Sequence, residues 1–281
     1  MKKYIITGGE GFIGSKILSK TDGKSFDLKS GQDILNGELF KTESAGYDGI
    51  FHCAAKISVP ESIQQPDEYY RNNVKGMQCV VDIAESNKQK IVFSSSAAVY
   101  GNSDVAVLED VDLRPMSPYA QNKVDGEMML KKLKTPSVAL RYFNVYGPGQ
   151  SDAYAGVITA FIKKAIKNED LVIYGNGQQV RDFVFVDDVA EANIFAMNHD
   201  SETFEIFNIG TGLETSIKEL AEKIIKLTNS SSKIKYTAAR EGDIVYSLAD
   251  VSKAKNVLGW TAKVSLDEGL QKVIDFYRKN I

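Results

Sequence analysis

A doubly wound α/β fold, a parallel sheet with helices on both faces followed by a smaller C-terminal lobe, is what this sequence predicts. Three observations predict it. The apolar run Tyr4–Thr7 leads into Gly8, Gly11 and Gly14, three residues apart, and an amphipathic segment follows. Strand and helix patterns then alternate to about residue 147, which is how a parallel sheet is built. The length, 281 residues, suffices for one large core and a second lobe.

Taken in order, Tyr4–Thr7 reads as a strand and residues 12–19 as a helix. Gly8 can take the backbone angles of the turn between them. Gly11 leaves the main chain open to a pyrophosphate, and Gly14 lets the helix pack closely on the strand. The helix N-terminus offers unbonded N–H groups and partial positive charge to phosphates. A plain structural turn uses the same residues, since 22 of the 281 are Gly. The strand before and the helix after favour a dinucleotide.

Ser25–Leu28 reads as a short second strand, and Gly49–Cys53 as a buried strand ending in Ala54-Ala55. A long helical pattern covers Pro66–Asn87, followed by the strand Lys90–Ser94. Pro118 to about Leu133 reads as a helix with Ser117 as N-cap and Pro118 in its first position. Val138–Tyr142 is the next strand. Ligands of such sheets sit at the carboxyl ends of the strands.

Beyond Gly147 the pattern loosens. Ser151–Asn168 reads as a helix, Leu171–Tyr174 as a strand, and Gly175-Asn176-Gly177 as a turn. Phe183–Val186 is a strand, Asp187–Met197 a helix and Phe207–Ile209 a strand. Ser216–Thr228 is a helix opened by a Ser216 cap with Glu219 three residues on. Leu266–Arg278 is an amphipathic helix. The expected organisation is one compact unit with two lobes. Residues 1–149 and 178–210 form a dinucleotide domain, and 150–177 and 211–281 a substrate lobe that shares two segments with the main sheet.

Composition narrows the function. A net charge of −3 gives no electrostatic case for nucleic acid or an anionic membrane. Cys53 and Cys79, the only two cysteines, make neither a disulfide framework nor a zinc site, so a reducing cytoplasm is the simpler setting. His52 and His199 cannot furnish a His-rich metal centre. No apolar run reaches the roughly 18 residues of a membrane span, and the turn at Gly8 interrupts any signal-like core.

Tyr119 and Lys123 are four residues apart on one helix, so both project from one face. An ammonium near a phenol stabilises the phenolate and lowers its pKa, which makes Tyr119 a candidate general base or acid. About one Y-x-x-x-K is expected by chance, and this is the only one. Its position distinguishes it: the preceding strand ends in Ser94-Ser95-Ser96, whose hydroxyls can bond a substrate hydroxyl about to become a ketone or can satisfy the strand end.

These stretches resemble the extended short-chain dehydrogenase/reductase family, in particular its nucleotide-sugar 4-epimerase branch. The likeness runs through Thr7–Gly14, His52–Ala55, and Val59-Pro60-Glu61-Ser62-Ile63-Gln64-Gln65-Pro66 on to Asn73-Val74-Lys75-Gly76. It continues through Phe93–Gly101, Ser117–Lys123, Leu140–Gly147, Tyr174–Val189 and residues 240–259, almost end to end. The resemblance implies a Rossmann-type sheet, a tightly held NAD and a catalytic triad of Ser96, Tyr119 and Lys123. Tyr119 takes a proton from the sugar 4-hydroxyl while hydride passes to NAD; the 4-keto sugar then turns over, and hydride returns to its other face.

It further implies cofactor contacts from Gly8, Gly11, Phe12, Ile13, Gly14, Ala54, Ala55, Asn73, Ser94, Tyr119 and Lys123, with Tyr142 and Phe143 beside the nicotinamide. Asp27 would accept from the ribose hydroxyls and repel a 2′-phosphate, and Asp33-Ile34 resembles the adenine contact. The pattern departs here. Asp27 follows Gly14 by fewer than the usual ~20 residues, as if a sheet strand were missing. A surface-turn role for Asp27 stays open, and Lys29 nearby leaves NADP open.

For the substrate, the resemblance assigns Asn144, Arg181 and Arg240 to the diphosphate, Asp243 to a ribose and Tyr174 to the base, although Tyr174 also reads as a core aromatic. Arg suits that task because its planar fork binds phosphate oxygens bidentately, and the chain has only six arginines. Ala97-Ala98 stand where related dehydratases and decarboxylases carry acids, so epimerisation is expected. Ser247 stands where hexose-only epimerases carry a tyrosine, which leaves room for an N-acetyl group. A 4-ketoreductase, an epimerase at another carbon, and a non-catalytic NAD or sugar-nucleotide sensor are the alternatives. The helices Pro66–Asn87 and Pro118–Leu133 resemble the pair that forms a four-helix homodimer interface.

Overall fold

The computed structural model describes residues 2–151, 156–239, 242 and 244–280. The first half alternates as expected. Its elements are β1 (Tyr4–Thr7), α1 (Gly14–Ser19), β2 (Gly23–Phe26), α2 (Gly37–Ser44), β3 (Gly49–His52), α3 (Val59–Gln64) and α4 (Pro66–Tyr69). A π turn (Tyr70–Lys75) joins α4 to α5 (Gly76–Asn87), and β4 (Lys90–Ser96), α6 (Pro118–Lys131) and β5 (Ser137–Tyr142) follow. The second half contains β6 (Asn144–Tyr146), α7 (Val157–Ile166), β7 (Leu171–Tyr174), β8 (Val180–Arg181), β9 (Phe183–Phe185), α8 (Val186–Asn198) and β10 (Phe204–Ile209). It closes with β11 (Thr215–Ser216), α9 (Ile217–Thr228), β12 (Ile234–Thr237), β13 (Tyr246–Ser247) and α10 (Leu266–Asn280).

Six strands form the central sheet in the order β10-β5-β4-β3-β1-β2, and every neighbouring pair is parallel. Both faces are covered, which is why its strands read as continuous apolar runs. Alternate residues serve opposite cores. Ile6, Phe51, Val92 and Val138 pack with Ile17 of α1 and Val189 of α8. Ile5, Ile50, Ile91 and Ala139 pack with Phe40 of α2, Val80 of α5 and Leu130 of α6. A third core joins α7, α9 and α10 to β7 and β9.

Several expectations need adjustment. The second strand lies two residues earlier than expected and is the sheet edge. No strand lies between it and β3, in agreement with the missing strand inferred from the spacing. The helix expected over 66–87 is interrupted by the π turn. Of the segments expected to join the main sheet from the second half, β10 does so beside β5, whereas β9 pairs with β6 in a sheet of its own. Asn144, two residues after β5, donates its amide to the Asp182 carbonyl at 2.9 Å, so β9 pairs with β6 and not with β5. The helices α2 and α3 and the short strands β6, β8, β11, β12 and β13 were not foreseen.

Candidate active site

The turn after β1 is held by what glycine lacks. A Cβ on Gly8, whose φ is +69°, would stand 2.8 Å from the Ala54 nitrogen, and one on Gly14 would stand 2.1 Å from the Gly8 carbonyl oxygen. The turn therefore lies directly on the loop after β3, and α1 directly on the turn. Among the described residues, the amides of Phe12 and Ile13 have no acceptor. Both residues are half-buried and lie between β1 and α1 at the carboxyl edge of the sheet, a fit for the oxygens of a pyrophosphate.

Asp27 sits immediately after β2 and is 8% exposed. Its carboxylate accepts from the Glu10 amide at 2.9 Å and from the Lys29 amide at 2.9 Å. A carboxylate has about four acceptor sites, so two remain for ribose hydroxyls. The short spacing from Gly14 has a simple cause: α1 has only six residues, and β2 begins four residues after it. Lys29 donates its ammonium to the Glu10 carbonyl at 2.8 Å, so a cation stands beside the turn together with the Asp27 carboxylate. Asp33 accepts from the Leu35 amide at 2.9 Å, and Ile34 is buried beside Gly76 of α5.

Ala54 and Ala55 are half-buried at the end of β3. Asn73 is placed by the π turn, a helix defect often found at functional sites. Both its polar atoms serve the main chain: its oxygen accepts from the Lys56 amide at 2.8 Å and its nitrogen donates to the Lys56 carbonyl at 2.9 Å. It clamps the loop that carries Ala54 and Ala55.

Ser96, Tyr119 and Lys123 converge at the carboxyl end of β4. Ser117 accepts from the Ala120 amide and Pro118 occupies the first turn, so α6 starts where the sequence predicts. Tyr119 is 9% and Lys123 4% exposed. Lys123 donates to the Ser94 carbonyl at 2.6 Å, with its ammonium 5.8 Å from the Tyr119 ring centroid. Burial pulls the Lys123 ammonium down to about 8, and nearby Cys53 and Glu127 oppose that pull. The expected lowering of the Tyr119 phenol is not found. Burial pushes it up, opposed by the Ser96 hydroxyl.

Below them, Ser94 Oγ lies 3.1 Å from Tyr142 Oη, and Tyr142 donates to Asn193 of α8 at 3.0 Å. Phe143 is buried against Tyr100. His52, which had no role in the sequence reading, closes the floor: Nδ1 is 2.7 Å from Thr7 Oγ1, and burial pulls the imidazole down to about 3. It is neutral at working pH and is no proton carrier there.

Asn144, Tyr174 and Arg181, distant in sequence, line one cleft of about 470 Å³ between α7, β7 and β8. Tyr174 is 41% exposed, which rules out the core-aromatic reading. Ser247 is the register partner of Arg181 across β13 and β8. Arg240 and Asp243 lie outside the described residues. The cleft adds Lys164 and Gln179, which no sequence pattern marked. Asp182 was also missed. Fully buried, it accepts from the amides of Thr211 and Gly212 at 2.7 and 2.9 Å and so fixes the strand that carries Arg181. Among the described residues, no group of three or more His, Cys, Asp or Glu could hold a metal ion, and no helix is long and apolar enough to cross a membrane.

A glycine turn against a parallel sheet, an acidic residue after the second strand and a serine beside a buried tyrosine-lysine pair define a dinucleotide-dependent enzyme that works on a hydroxyl-bearing carbon. The chain belongs to the NAD dependent epimerase/dehydratase family, whose model matches residues 4–210. It is 34% identical to a putative UDP-glucose 4-epimerase of Methanocaldococcus jannaschii over 98% of both chains. The structure of a UDP-N-acetylglucosamine 4-epimerase from Methanobrevibacter ruminantium, in complex with UDP-N-acetylmuramic acid, is 32% identical; it covers 100% of this chain and 99% of its own, with a TM-score of 0.94. That of a UDP-glucose 4-epimerase from Thermotoga maritima with UDP-glucose is 33% identical over 99% of both chains, with a TM-score of 0.92.

Proposed function

We propose that this protein is an NAD-dependent epimerase that inverts C4 of a UDP-hexose or UDP-N-acetylhexosamine through a 4-keto sugar. The observation that carries the reading is the convergence of Ser96, Tyr119 and Lys123 beside the glycine turn, with Ala97 and Ala98 next to them in place of acids. Tyr119 removes the proton of the 4-hydroxyl, Ser96 bonds the same oxygen, and the Lys123 cation favours the phenolate. When bound, NAD supplies the hydride acceptor and a positive ring that favours the phenolate further. Phe12, Ile13 and Asp27 hold it, with Ala54 and Ala55 beneath. Asn144, Arg181 and Arg240 hold the diphosphate while the keto sugar turns, and Asp243 and Tyr174 hold the nucleoside. In this reading residues 1–149 and 178–210 carry the cofactor, and 150–177 and 211–281 the nucleotide sugar.

The test is incubation with UDP-glucose and UDP-N-acetylglucosamine without added dinucleotide. C4 epimers resolved by NMR are expected; product that forms only as NADH or NADPH is consumed would replace the reading with a ketoreductase. Ser247→Tyr is expected to lower kcat/KM for UDP-N-acetylglucosamine by about 100-fold and to leave UDP-glucose within about 3-fold, since a clash acts on one substrate alone. Equal losses on both would contradict the role of Ser247.

A homodimer through α4–α5 and α6 belongs to the same proposal. Tyr70 of the π turn and Met128 of α6 are 49% and 40% exposed, as an unfilled interface requires. Sedimentation at micromolar concentration is expected to give twice the chain mass. A cytoplasmic location and a role in supplying polysaccharide biosynthesis complete it; Cys53 and Cys79 are free thiols.

A further inference from the structure

The charged pair buried beneath the catalytic helix does not enter the chemistry above. Glu127 lies one turn beyond Lys123 on α6 and is fully buried. Arg141 of β5 meets it with two bonds, Nε to Oε1 at 3.0 Å and Nη2 to Oε2 at 2.7 Å. Ser95, Arg141 and Asn208 are register partners across β4, β5 and β10, so one row of polar side chains crosses three strands at their carboxyl ends. Ser95 donates to Glu127 at 2.6 Å. Arg141 donates to the Tyr100 hydroxyl at 2.9 Å and to the Glu109 carbonyl at 2.9 Å, and Tyr100 donates to Asn208 at 2.5 Å. A buried pair of this kind costs desolvation, and well-packed apolar residues would often serve stability as well. Stability alone does not account for it.

We propose that Glu127 and Arg141 are positioning residues for the catalytic cluster: they tie the segment after Ser96 to α6, and Glu127 sets a negative charge one turn from the Lys123 ammonium. The geometry is direct. Ser94 accepts from Lys123, Ser95 bonds Glu127, and Ser96 starts the segment that Tyr100 and Glu109 anchor to Arg141. The position of Lys123 relative to Ser96 is thus fixed from both sides of one strand.

The groups that face Lys123 are few. They are His52 at the end of β3 and Cys53 after it, Tyr119 and Glu127 on its own helix, and Tyr142 across Ser94. Glu61 and Glu68, from α3 and α4, pair with Lys56 instead. Arg71 and Lys75 on the π turn, and Asp82 and Glu85 on α5, are exposed. Glu127 is therefore the nearby anion, and Arg141 masks it.

The test rests on the epimerase reading and uses the purified holoenzyme with UDP-glucose. Glu127→Gln leaves the Arg141 cation uncompensated, so the alkaline limb of kcat against pH is expected to fall by about one unit. Arg141→Met removes the masking cation, so the limb is expected to stay or rise, and the double variant to return toward wild type. A structural role alone would loosen the site, hydrate Lys123 and move the limb upward in every single variant. An unmoved limb in Glu127→Gln, or the same direction of shift in both, would overturn the proposal.

Unfolding midpoints against pH on the same preparations give a second readout without catalysis. The rise in stability as Lys123 loses its proton is expected to shift in the same sense. If the wild type does not epimerise UDP-glucose, the reading of function fails and this arm still decides the inference. If the charge variants do not fold, Ser95→Ala and Tyr100→Phe each strip one bond from the pair. Each is expected to lower kcat about 10-fold with KM within about 2-fold, and unchanged kcat in both would overturn the proposal.

Discussion

Replacement of Tyr119 by phenylalanine is expected to lower kcat by about 1000-fold and to leave KM for UDP-glucose within about 3-fold. General acid–base catalysis contributes about 100- to 10,000-fold, and the substitution deletes one oxygen. Tyr119 is 9% exposed and its ring stays in place, so the fold is expected to survive, with an unchanged far-ultraviolet dichroism spectrum. The loss should persist at every pH between 6 and 9, since no other phenol stands in for it: Tyr142 bonds Ser94 and Asn193, and burial pushes it up. Retention of more than about a tenth of wild-type kcat would refute the mechanism.

Lys123→Met is expected to cost activity and add stability. The folded environment lowers the Lys123 pKa from 10.5 to about 8. A group whose folded pKa is depressed contributes its stability above the unfolded pKa and loses it as pH falls through the folded one. Wild type is therefore expected to gain stability from about pH 8 to about pH 10.5 and to carry the full burial cost below pH 8. That cost is about 3 kcal/mol, offset in part by the bond to the Ser94 carbonyl, which is worth about 1–2 kcal/mol. Methionine removes both, so cofactor-stripped Lys123→Met should melt a few degrees higher at pH 7, with the gain vanishing toward pH 10.5. Its kcat should fall at least 100-fold, because the Lys123 cation no longer favours the Tyr119 phenolate. A lower melting temperature than wild type at pH 7 would contradict the burial cost.

Much of the site is legible in the linear order because its signals are local. Gly8 and Gly14 fall within one turn and one helix start, Tyr119 and Lys123 within a single turn of α6, and the Ser117–Pro118 start places that helix. The capping box at Ser216 and Glu219 forms as read, because both partners lie within four residues. Where the reading erred, a contact from far along the chain decided. The phenol of Tyr119 goes up and not down because the packing of α6 on the sheet buries it. Asn73 turns inward because Lys56, 17 residues earlier, offers both a donor and an acceptor. The β9 strand leaves the main sheet because Asn144 takes its neighbour.

Asp27 illustrates both sides. Its spacing from Gly14 argued against the ribose position, and the six-residue α1 brings it directly after β2, with its carboxylate on the Glu10 amide. From sequence alone came the parallel α/β class, the glycine turn, the tyrosine-lysine helix and the family, since each depends on turn chemistry or on spacing within one element. Tertiary structure alone decided the shared cleft of Asn144, Tyr174 and Arg181, the exposure of Tyr174, the inward turn of Asn73 and the Glu127–Arg141 row. Those depend on strand register and on which helix face meets which sheet face. Register couples residues that the chain keeps far apart, and no local pattern carries that information.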